Sequence, residues 1–429
     1  MNSRFCDEKM KVAVIGLGVG YALACCLAEA GYNTLGLDID PTIVANPRRD
    51  PSISAVTKAK SSKIRVERNL RLTTSYDDIA NCTHVIVCVS TGDEKKLVLG
   101  HVEGAVHKYL TVIHASKPEI TPLLMIYSTL PYGSSKKIRE VFKSTGVAID
   151  RDVGYVHFPL MIAQGTTAND FVNPPFVVFG SDSKVIAKKA MDFYKRFIKR
   201  SCLFTGKLPP MFIGTPEEAE LAKLCANAFL TTKIGLANEF GNLFERLGMD
   251  GQKVMSVVGS DWRIGRKFTT PAYAVGGSCF PRDLKSLIET YDQTGTRTKI
   301  LRAVDEANAD RLNDPLDKIQ GSKVLVLGKS YKPSITETKG SPSIALADAL
   351  KNKGYQVEMY DPKFGDPLPS REYDTIIVTV TEPVFRNLQM LAGKCRVVLD
   401  YTSMVDQSTL PRTTRLWRAG SGWANYDPL

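Results

Sequence analysis

The sequence predicts an α/β chain, with two Rossmann-like domains joined by a long central helix and a small helical domain. Three observations predict it. From Lys11 to Asp38 a β-branched strand, a glycine-rich turn, a helix and a second strand ending in acid follow one another. A similar strand, helix and strand recur from Lys323 to Asp361, and between the two a helical pattern runs unbroken from Pro216 to about Leu247. At roughly 100–200 residues per domain, 429 residues exceed one core. The expected boundaries are 1–205 for the N-terminal Rossmann-like domain, 206–315 for the central helical domain and 316–429 for the C-terminal Rossmann-like domain.

In the first domain, Lys11–Ile15 leads into Gly16-Leu17-Gly18-Val19-Gly20, then a helix over Tyr21–Ala30 and a strand over Thr34–Asp38. Glycines at that turn let a pyrophosphate approach a helix N-terminus, whose N–H groups and dipole favour anions. Asp38, about 20 residues after the glycines, is placed to accept from ribose hydroxyls, and its charge favours NAD over NADP. The glycine pattern is irregular. Tyr21 stands where the third glycine belongs and Gly20 comes one place early, so the turn is expected to be a residue short. Further strands are read at His84–Val89, Leu123–Ser128 and Pro175–Phe179. Lys184–Arg200 alternates basic and apolar residues as an amphipathic surface helix does.

The central helix opens on Thr215-Pro216-Glu217-Glu218, a cap with proline at the first helical position and acids in the first turn. Lys223 and Asn227 lie four apart and share a face. For either one alone, solvation on a helix surface is as good a reading as function. In the last domain Lys323–Gly328, Gln356–Tyr360, Thr375–Val380 and Arg396–Leu399 read as strands and Ser343–Lys353 as a helix.

With 43% hydrophobic and 24% charged residues the chain reads as soluble and globular. Its nine cysteines are odd in number and form no CxxC pair, as expected of reduced thiols in a cytoplasmic protein. No apolar run approaches the roughly 18 residues of a membrane span, and Met1–Lys11 is unlike a secretory signal. The net charge of +11 is spread along the chain, so neither nucleic acid nor a membrane is an expected partner. No metal site is expected.

The chemistry concentrates in Gly276-Gly277-Ser278-Cys279-Phe280-Pro281-Arg282-Asp283. Two glycines permit close ligand approach, Pro281 fixes the exit from the turn, and Asp283 can orient a water or accept a proton. Cys279 is then a candidate nucleophile, set against the common reading of a cysteine as a small buried hydrophobe.

Taken together, these segments resemble the UDP-glucose/GDP-mannose dehydrogenase family over nearly the whole chain. The cysteine segment is similar to the family's nucleophile motif. Lys223-Leu224-Cys225-Ala226-Asn227-Ala228-Phe229-Leu230 resembles its catalytic helix, and Arg263-Ile264-Gly265 its RIG element. Tyr331-Lys332-Pro333 and Ser341-Pro342 resemble its C-terminal nucleotide-binding segment, and Ser128-Thr129-Leu130-Pro131 a segment beside the cofactor. The resemblance implies an NAD-dependent, four-electron oxidation of a nucleotide sugar at C6, with UDP-glucose favoured, through a thiohemiacetal and a thioester on Cys279. It implies Lys223, Asn227, Asp283 and Thr129 as further catalytic residues. Gly16, Gly18, Val19, Gly20, Asp38, Thr91 and Thr129 are implied at the cofactor. Lys223, Asn227, Arg263, Gly276, Lys332 and Lys339 are implied at the substrate. Arg263 is expected to act across a subunit interface, hence a homodimer or larger homo-oligomer, in polysaccharide-precursor synthesis.

The chain departs from the family pattern in His157-Phe158-Pro159-Leu160-Met161-Ile162-Ala163-Gln164-Gly165. Leu160 replaces a glutamate that assists thioester hydrolysis, Ala163 and Gln164 replace an Arg-Glu pair, and Lys339 replaces an arginine. Ala272-Tyr273-Ala274-Val275 stands where glycines are usual. Three other readings stay open: a catalytically impaired paralogue that binds nucleotide sugar or partners an active subunit, a UDP-N-acetylhexosamine 6-dehydrogenase, and a two-electron 3-hydroxyacid dehydrogenase. The last explains neither the cysteine motif nor the second Rossmann-like half.

Overall fold

The computed structural model describes residues 10–47, 50–92, 96–369, 372–389, 391 and 395–424, and Cys6 lies outside them. Two compact units divide the chain, residues 1–225 and 226–429. In the first, eight strands form one sheet: β1 (Lys11–Ile15), β2 (Asn33–Leu37), β3 (Leu70–Thr73), β4 (His84–Val87), β5 (Leu123–Ile126), β6 (Gly154–His157), β7 (Val177–Gly180) and β8 (Met211–Gly214). Their order is β3-β2-β1-β4-β5-β6-β7-β8, parallel throughout except for β6 against β7.

Side-chain alternation along β1 gives the sheet two covered faces. Val12 and Val14 enter a core with the helices Gly20–Glu29 and Lys184–Arg200, while Ala13 and Ile15 enter a second core with Gly100–Ser116 and Ser134–Thr145. Strands buried on both faces read as continuous apolar runs, which is why β1, β4 and β5 were visible in the sequence. The strands that sequence reasoning missed, β3, β6 and β8, are four residues each and carry polar or exposed positions. The Lys184–Arg200 helix buries Ile186, Ala187, Ala190, Phe193, Tyr194, Phe197 and Ile198 on one stripe, and Ser183 caps it by accepting from the Ile186 N–H at 3.4 Å.

The second unit holds a six-stranded sheet of β9 (Lys323–Leu327), β10 (Gln356–Tyr360), β11 (Thr375–Val378), β12 (Val397–Asp400), β13 (Arg415–Arg418) and β14 (Gly422–Trp423). The order is β10-β9-β11-β12-β13-β14, with only the β13–β14 pair antiparallel. Val324, Val326 and Ile377 pack with Leu346 and Leu350 of the helix Pro342–Asn352, and Leu325, Leu327, Ile376 and Val378 face the opposite core.

One 32-residue helix, Pro216–Leu247, starts in the first unit and continues into the second. Its start is a reciprocal capping box: the Thr215 hydroxyl accepts from the Glu218 N–H at 3.2 Å, and the Glu218 carboxylate accepts from the Thr215 N–H at 2.7 Å. The eight described cysteines are free thiols. Among the described residues no helix is long and apolar enough to cross a membrane.

His157 ends β6 fully buried, its Nδ1 donating to the Ile126 carbonyl at 3.1 Å while Nε2 has no hydrogen-bond partner among the described residues. Burial pushes its pKa down to about 4, against a small opposing effect of the Ile126 bond. The unfolded chain, at about 6.5, therefore binds more protons than the folded one between the two values, and stability falls as pH drops through that window. The expected loss from this one ring is roughly 3 kcal/mol at full protonation. Melting temperature measured from pH 7 to pH 4 should decline in the native protein and decline less steeply in His157→Gln.

Candidate active site

The carboxyl ends of β1, β4 and β5 meet where the strand order reverses, the place at which open α/β sheets bind ligands. Gly16 takes φ +92°, and a Cβ there would come within 2.9 Å of the Val89 backbone. A Cβ on Gly18 would meet nothing within 4 Å among the described residues, which leaves room at the turn for a ligand. A Cβ on Gly20 would meet Val14 at 2.9 Å and Cys88 at 3.1 Å. Position 20 thus does the close helix-to-strand packing expected of the third glycine, and half-buried Tyr21 packs on the core. The irregular spacing is accommodated by starting the helix at Gly20, with exposed Val19 at its N-cap.

Asp38 anchors this turn. Its Oδ2 accepts from the Leu17 N–H at 2.8 Å and its Oδ1 from the Asp40 N–H at 3.1 Å, leaving each oxygen a further lone pair for a ribose hydroxyl. Thr91 is buried in the segment after β4 and half-buried Thr129 follows β5. Ser128 ties these segments together, its hydroxyl donating to the Val89 carbonyl at 2.7 Å.

Lys223 and Asn227 lie on successive turns of the connecting helix and are 7% and 5% exposed, so neither is a solvated surface residue. In the second unit the Asn227 amide donates to Asp283 Oδ2 at 2.6 Å, while Arg282 Nε and Nη2 approach Asp283 Oδ1 at 3.3 and 3.2 Å. Asp283 is fully buried. Its backbone N–H donates to the Cys279 carbonyl at 2.8 Å, closing the first turn of the helix Phe280–Gln293. Cys279 is the N-cap of that helix and its thiol is exposed, 3.9 Å from the Ser278 hydroxyl. The geometry is a reachable sulfur at a helix N-terminus, backed by a buried carboxylate with an amide and a guanidinium bound to it.

The cysteine loop packs on the two C-terminal segments singled out in the sequence. The Gly277 N–H donates to the Gly340 carbonyl at 2.9 Å, and a Cβ on Gly276 would fall 2.3 Å from Pro342. A Cβ on Gly277 would meet the Tyr331 ring at 2.8 Å, beside half-buried Lys332. Lys339 is exposed, its N–H bonded to Glu337 at 3.1 Å. Arg263 is also exposed and pairs with Asp261 at 2.6 Å. Its loop is held by Lys233, whose ammonium donates to the Ile264 and Lys267 carbonyls at 2.9 and 2.7 Å. In the first unit Leu160 is half-buried on the core with Ile162, its N–H donating to the Tyr127 carbonyl at 3.3 Å. Sequence reasoning missed Arg282 and Glu220. The one available signal was charge inside an otherwise apolar helical stripe.

Three models of one family match in chain order: the NAD binding domain at residues 10–198, the central domain at 217–310 and the UDP binding domain at 325–407. The chain belongs to the UDP-glucose/GDP-mannose dehydrogenase family. It is 28% identical over 370 residues to a UDP-glucose 6-dehydrogenase of Haloferax volcanii, covering 82% of this chain and 83% of that one. It is 27% identical over 366 residues to a GDP-mannose 6-dehydrogenase of Pseudomonas putida, covering 82% and 81%. A solved UDP-glucose dehydrogenase of Pyrobaculum islandicum superposes with a TM-score of 0.80 at 25% identity, over 99% of this chain and 100% of that one.

NAD is the cofactor of this dehydrogenase family member, and the first unit fits it. The open space over Gly18 admits a pyrophosphate at the helix N-terminus, and Asp38 retains acceptor capacity for a ribose. Asp38→Ser should raise KM for NAD by about tenfold or more while narrowing the preference for NAD over NADP, read from initial rates with both cofactors. Asp283→Asn, which leaves the buried Arg282 guanidinium without its counter-charge, should destabilise the second unit by about 3–5 kcal/mol in urea denaturation.

Proposed function

We propose that the chain is an NAD-dependent nucleotide-sugar 6-dehydrogenase, with UDP-glucose as substrate and the uronate as product. The observation that carries the reading is the exposed Cys279 thiol at a helix N-terminus, directly followed by the buried Asn227–Asp283–Arg282 cluster. When bound, NAD would supply the hydride acceptor, one NAD for each of two successive oxidations. The substrate's C6 alcohol loses a proton and a hydride to become an aldehyde, and Cys279 Sγ adds to that carbon. Loss of a second hydride from the thiohemiacetal leaves a thioester, and water cleaves its C–S bond to give the carboxylate and restore the thiol. Covalent capture keeps the aldehyde from leaving between the oxidations.

In this reading Lys223 and the remaining Asn227 N–H stabilise the oxyanions, and Asp283 takes up protons directly or through a water. With leucine at position 160, hydrolysis relies on water held by Asp283. Gly16, Gly18, Val19, Gly20, Asp38, Thr91 and Thr129 hold NAD. Gly276, Lys332 and Lys339 hold the nucleotide sugar, with Arg263 supplied by a second subunit. Domains 1–205, 206–315 and 316–429 divide the labour between cofactor, catalysis and nucleotide. The preference for UDP-glucose is supported by the Haloferax volcanii relative, and GDP-mannose and UDP-N-acetylhexosamines are the competing donors.

A homodimer is supported by the connecting helix. Phe229, Leu236, Phe240, Leu243 and Leu247 recur at spacings of seven, four, three and four and are 38–75% exposed, an apolar seam of the kind that pairs helices. The second reading, an impaired paralogue, is favoured by Leu160 and by the irregular spacing of the glycine turn.

Purified protein should form two NADH per UDP-glucose over many turnovers, and Cys279→Ser should lose that activity. A single burst with sugar retained on Cys279 would mean that hydrolysis has failed, and no NADH from UDP-glucose, GDP-mannose or UDP-N-acetylglucosamine would favour the impaired paralogue. Leu243→Glu should shift the mass measured by sedimentation from dimer to monomer, and an unchanged mass would place the subunit contact elsewhere.

A further inference from the structure

Glu220 lies on the connecting helix one turn before Lys223 and is fully buried. Its Oε1 accepts from the backbone N–H and the hydroxyl of Ser135, both at 2.6 Å, and its Oε2 accepts from the Gly133 N–H at 2.7 Å. The Tyr155 hydroxyl donates to Ser135 Oγ at 3.2 Å behind them. These N–H groups are the open end of the helix Ser134–Thr145, whose N-cap Gly133 has no side chain with which to cap it. The cap is supplied by a carboxylate from another helix.

That contact closes one end of a short loop. Residues 128–133 leave β5, carry Thr129, and are tied at the start by Ser128 to Val89 and at the end by Glu220. A second strut runs parallel to it, with Arg139 bonded to Asp182 at 2.9 Å and to Glu217 at 2.5 Å. Burial pushes the Glu220 carboxyl up, and the Ser135 and Gly133 bonds offset only part of this. A Ser or Asp at position 133 would cap the helix at lower desolvation cost but would be strained at the φ of +84° that Gly133 adopts. What such a local cap could not do is join the Thr129 loop to the helix turn before Lys223.

We infer that Glu220 is a positioning residue for the dehydrogenase reaction, holding the Thr129 loop in register with Lys223; the inference rests on the roles proposed above for those two side chains. Glu220→Gln preserves the shape but turns an amide N–H₂ toward a backbone N–H, so one of the ties must break. The experiment compares native protein, Glu220→Gln, Thr129→Ala and the double variant. Turnover is normalised to active sites titrated by alkylation of Cys279, and backbone hydrogen exchange is followed over residues 123–140.

Glu220→Gln is expected to lower kcat per active site by about 10–100-fold with KM for the nucleotide sugar changed by less than about threefold. Exchange should accelerate over 128–136 and stay slow in β5. The double variant should be no slower than Thr129→Ala within about twofold, because both substitutions disable the same loop. Additive losses, or an exchange pattern unchanged in the loop, overturn the inference while leaving the dehydrogenase reading intact. A native protein that makes no NADH from any nucleotide sugar overturns both. Should Glu220→Gln fail to fold, Ser135→Ala removes one of the three donors and must show the same pattern at smaller amplitude.

Discussion

A charge taken out of water must be met by hydrogen-bonding partners, and that constraint organises the connecting helix from end to end. Glu220 finds Ser135 and Gly133, and Asn227 finds Asp283. Further along, Asn242 accepts from Arg311 at 2.9 Å, and Glu245 accepts from the Gly420 N–H at 2.8 Å. Arg311 is itself buried, with Nε donating to the Ala272 carbonyl at 2.9 Å and its guanidinium 5.3 Å from the Tyr401 ring centroid. The helix therefore carries Glu220 and Asn227 on faces that are not solvated, while Glu245 is half-buried and Asn242 exposed. Each is paired within its own unit, which fixes the helix's rotation in each unit more tightly than apolar packing alone would.

The two Rossmann-like sheets repeat one device and use it differently. In the first, the Leu17 N–H donates to Asp38 at 2.8 Å; in the second, the Lys329 N–H donates to Asp361 at 3.0 Å. Both carboxylates also accept from the N–H two residues on, at 3.1 Å. Asp38 remains partly exposed, whereas Asp361 is fully buried and faces the Lys363 ammonium at 3.9 Å. Only the first of these two turns leaves its acid within reach of solvent. The second keeps its acid as a brace for a lysine-bearing edge, in keeping with a domain of the family that binds UDP rather than a dinucleotide.

Three of the departures from the family pattern, Leu160, Ala163 and Gln164, fall on one segment. Leu160 and Ile162 lie on the first unit's core, and the following turn is held by Asp50, which accepts from the Gly165 N–H at 3.1 Å and the Thr167 hydroxyl at 2.6 Å. The segment is thus well anchored by contacts that need no glutamate. An apolar side chain at position 160 alters the proton inventory and leaves the cysteine loop untouched, since that loop is built from Gly276–Asp283 and its contacts with Tyr331, Gly340 and Pro342.

Much of this was legible in the sequence because it rests on local rules. The apolar runs of β1, β4, β5, β9 and β11 are buried on both faces and carry their own signal, and the limits of the connecting helix were marked by Thr215-Pro216 and the end of its periodicity. The cysteine segment and its helix partners were visible as motifs. The strands β3, β6, β8, β13 and β14 were not: β4, β5 and β11 are just as short as most of them, but these five carry arginine, glycine, histidine or exposed positions that interrupt an apolar run. Nor could spacing reveal that Gly20 serves in place of a glycine at position 21, since that follows from its contact with Val14 and Cys88. The sequence by itself determined the elements, the candidate cysteine segment and the glycine-rich turn. Only the tertiary structure decided which charges are buried and what meets them, Glu220 with Ser135 and Asp283 with Arg282, because desolvation depends on everything packed around a group and on nothing in its own stretch of chain.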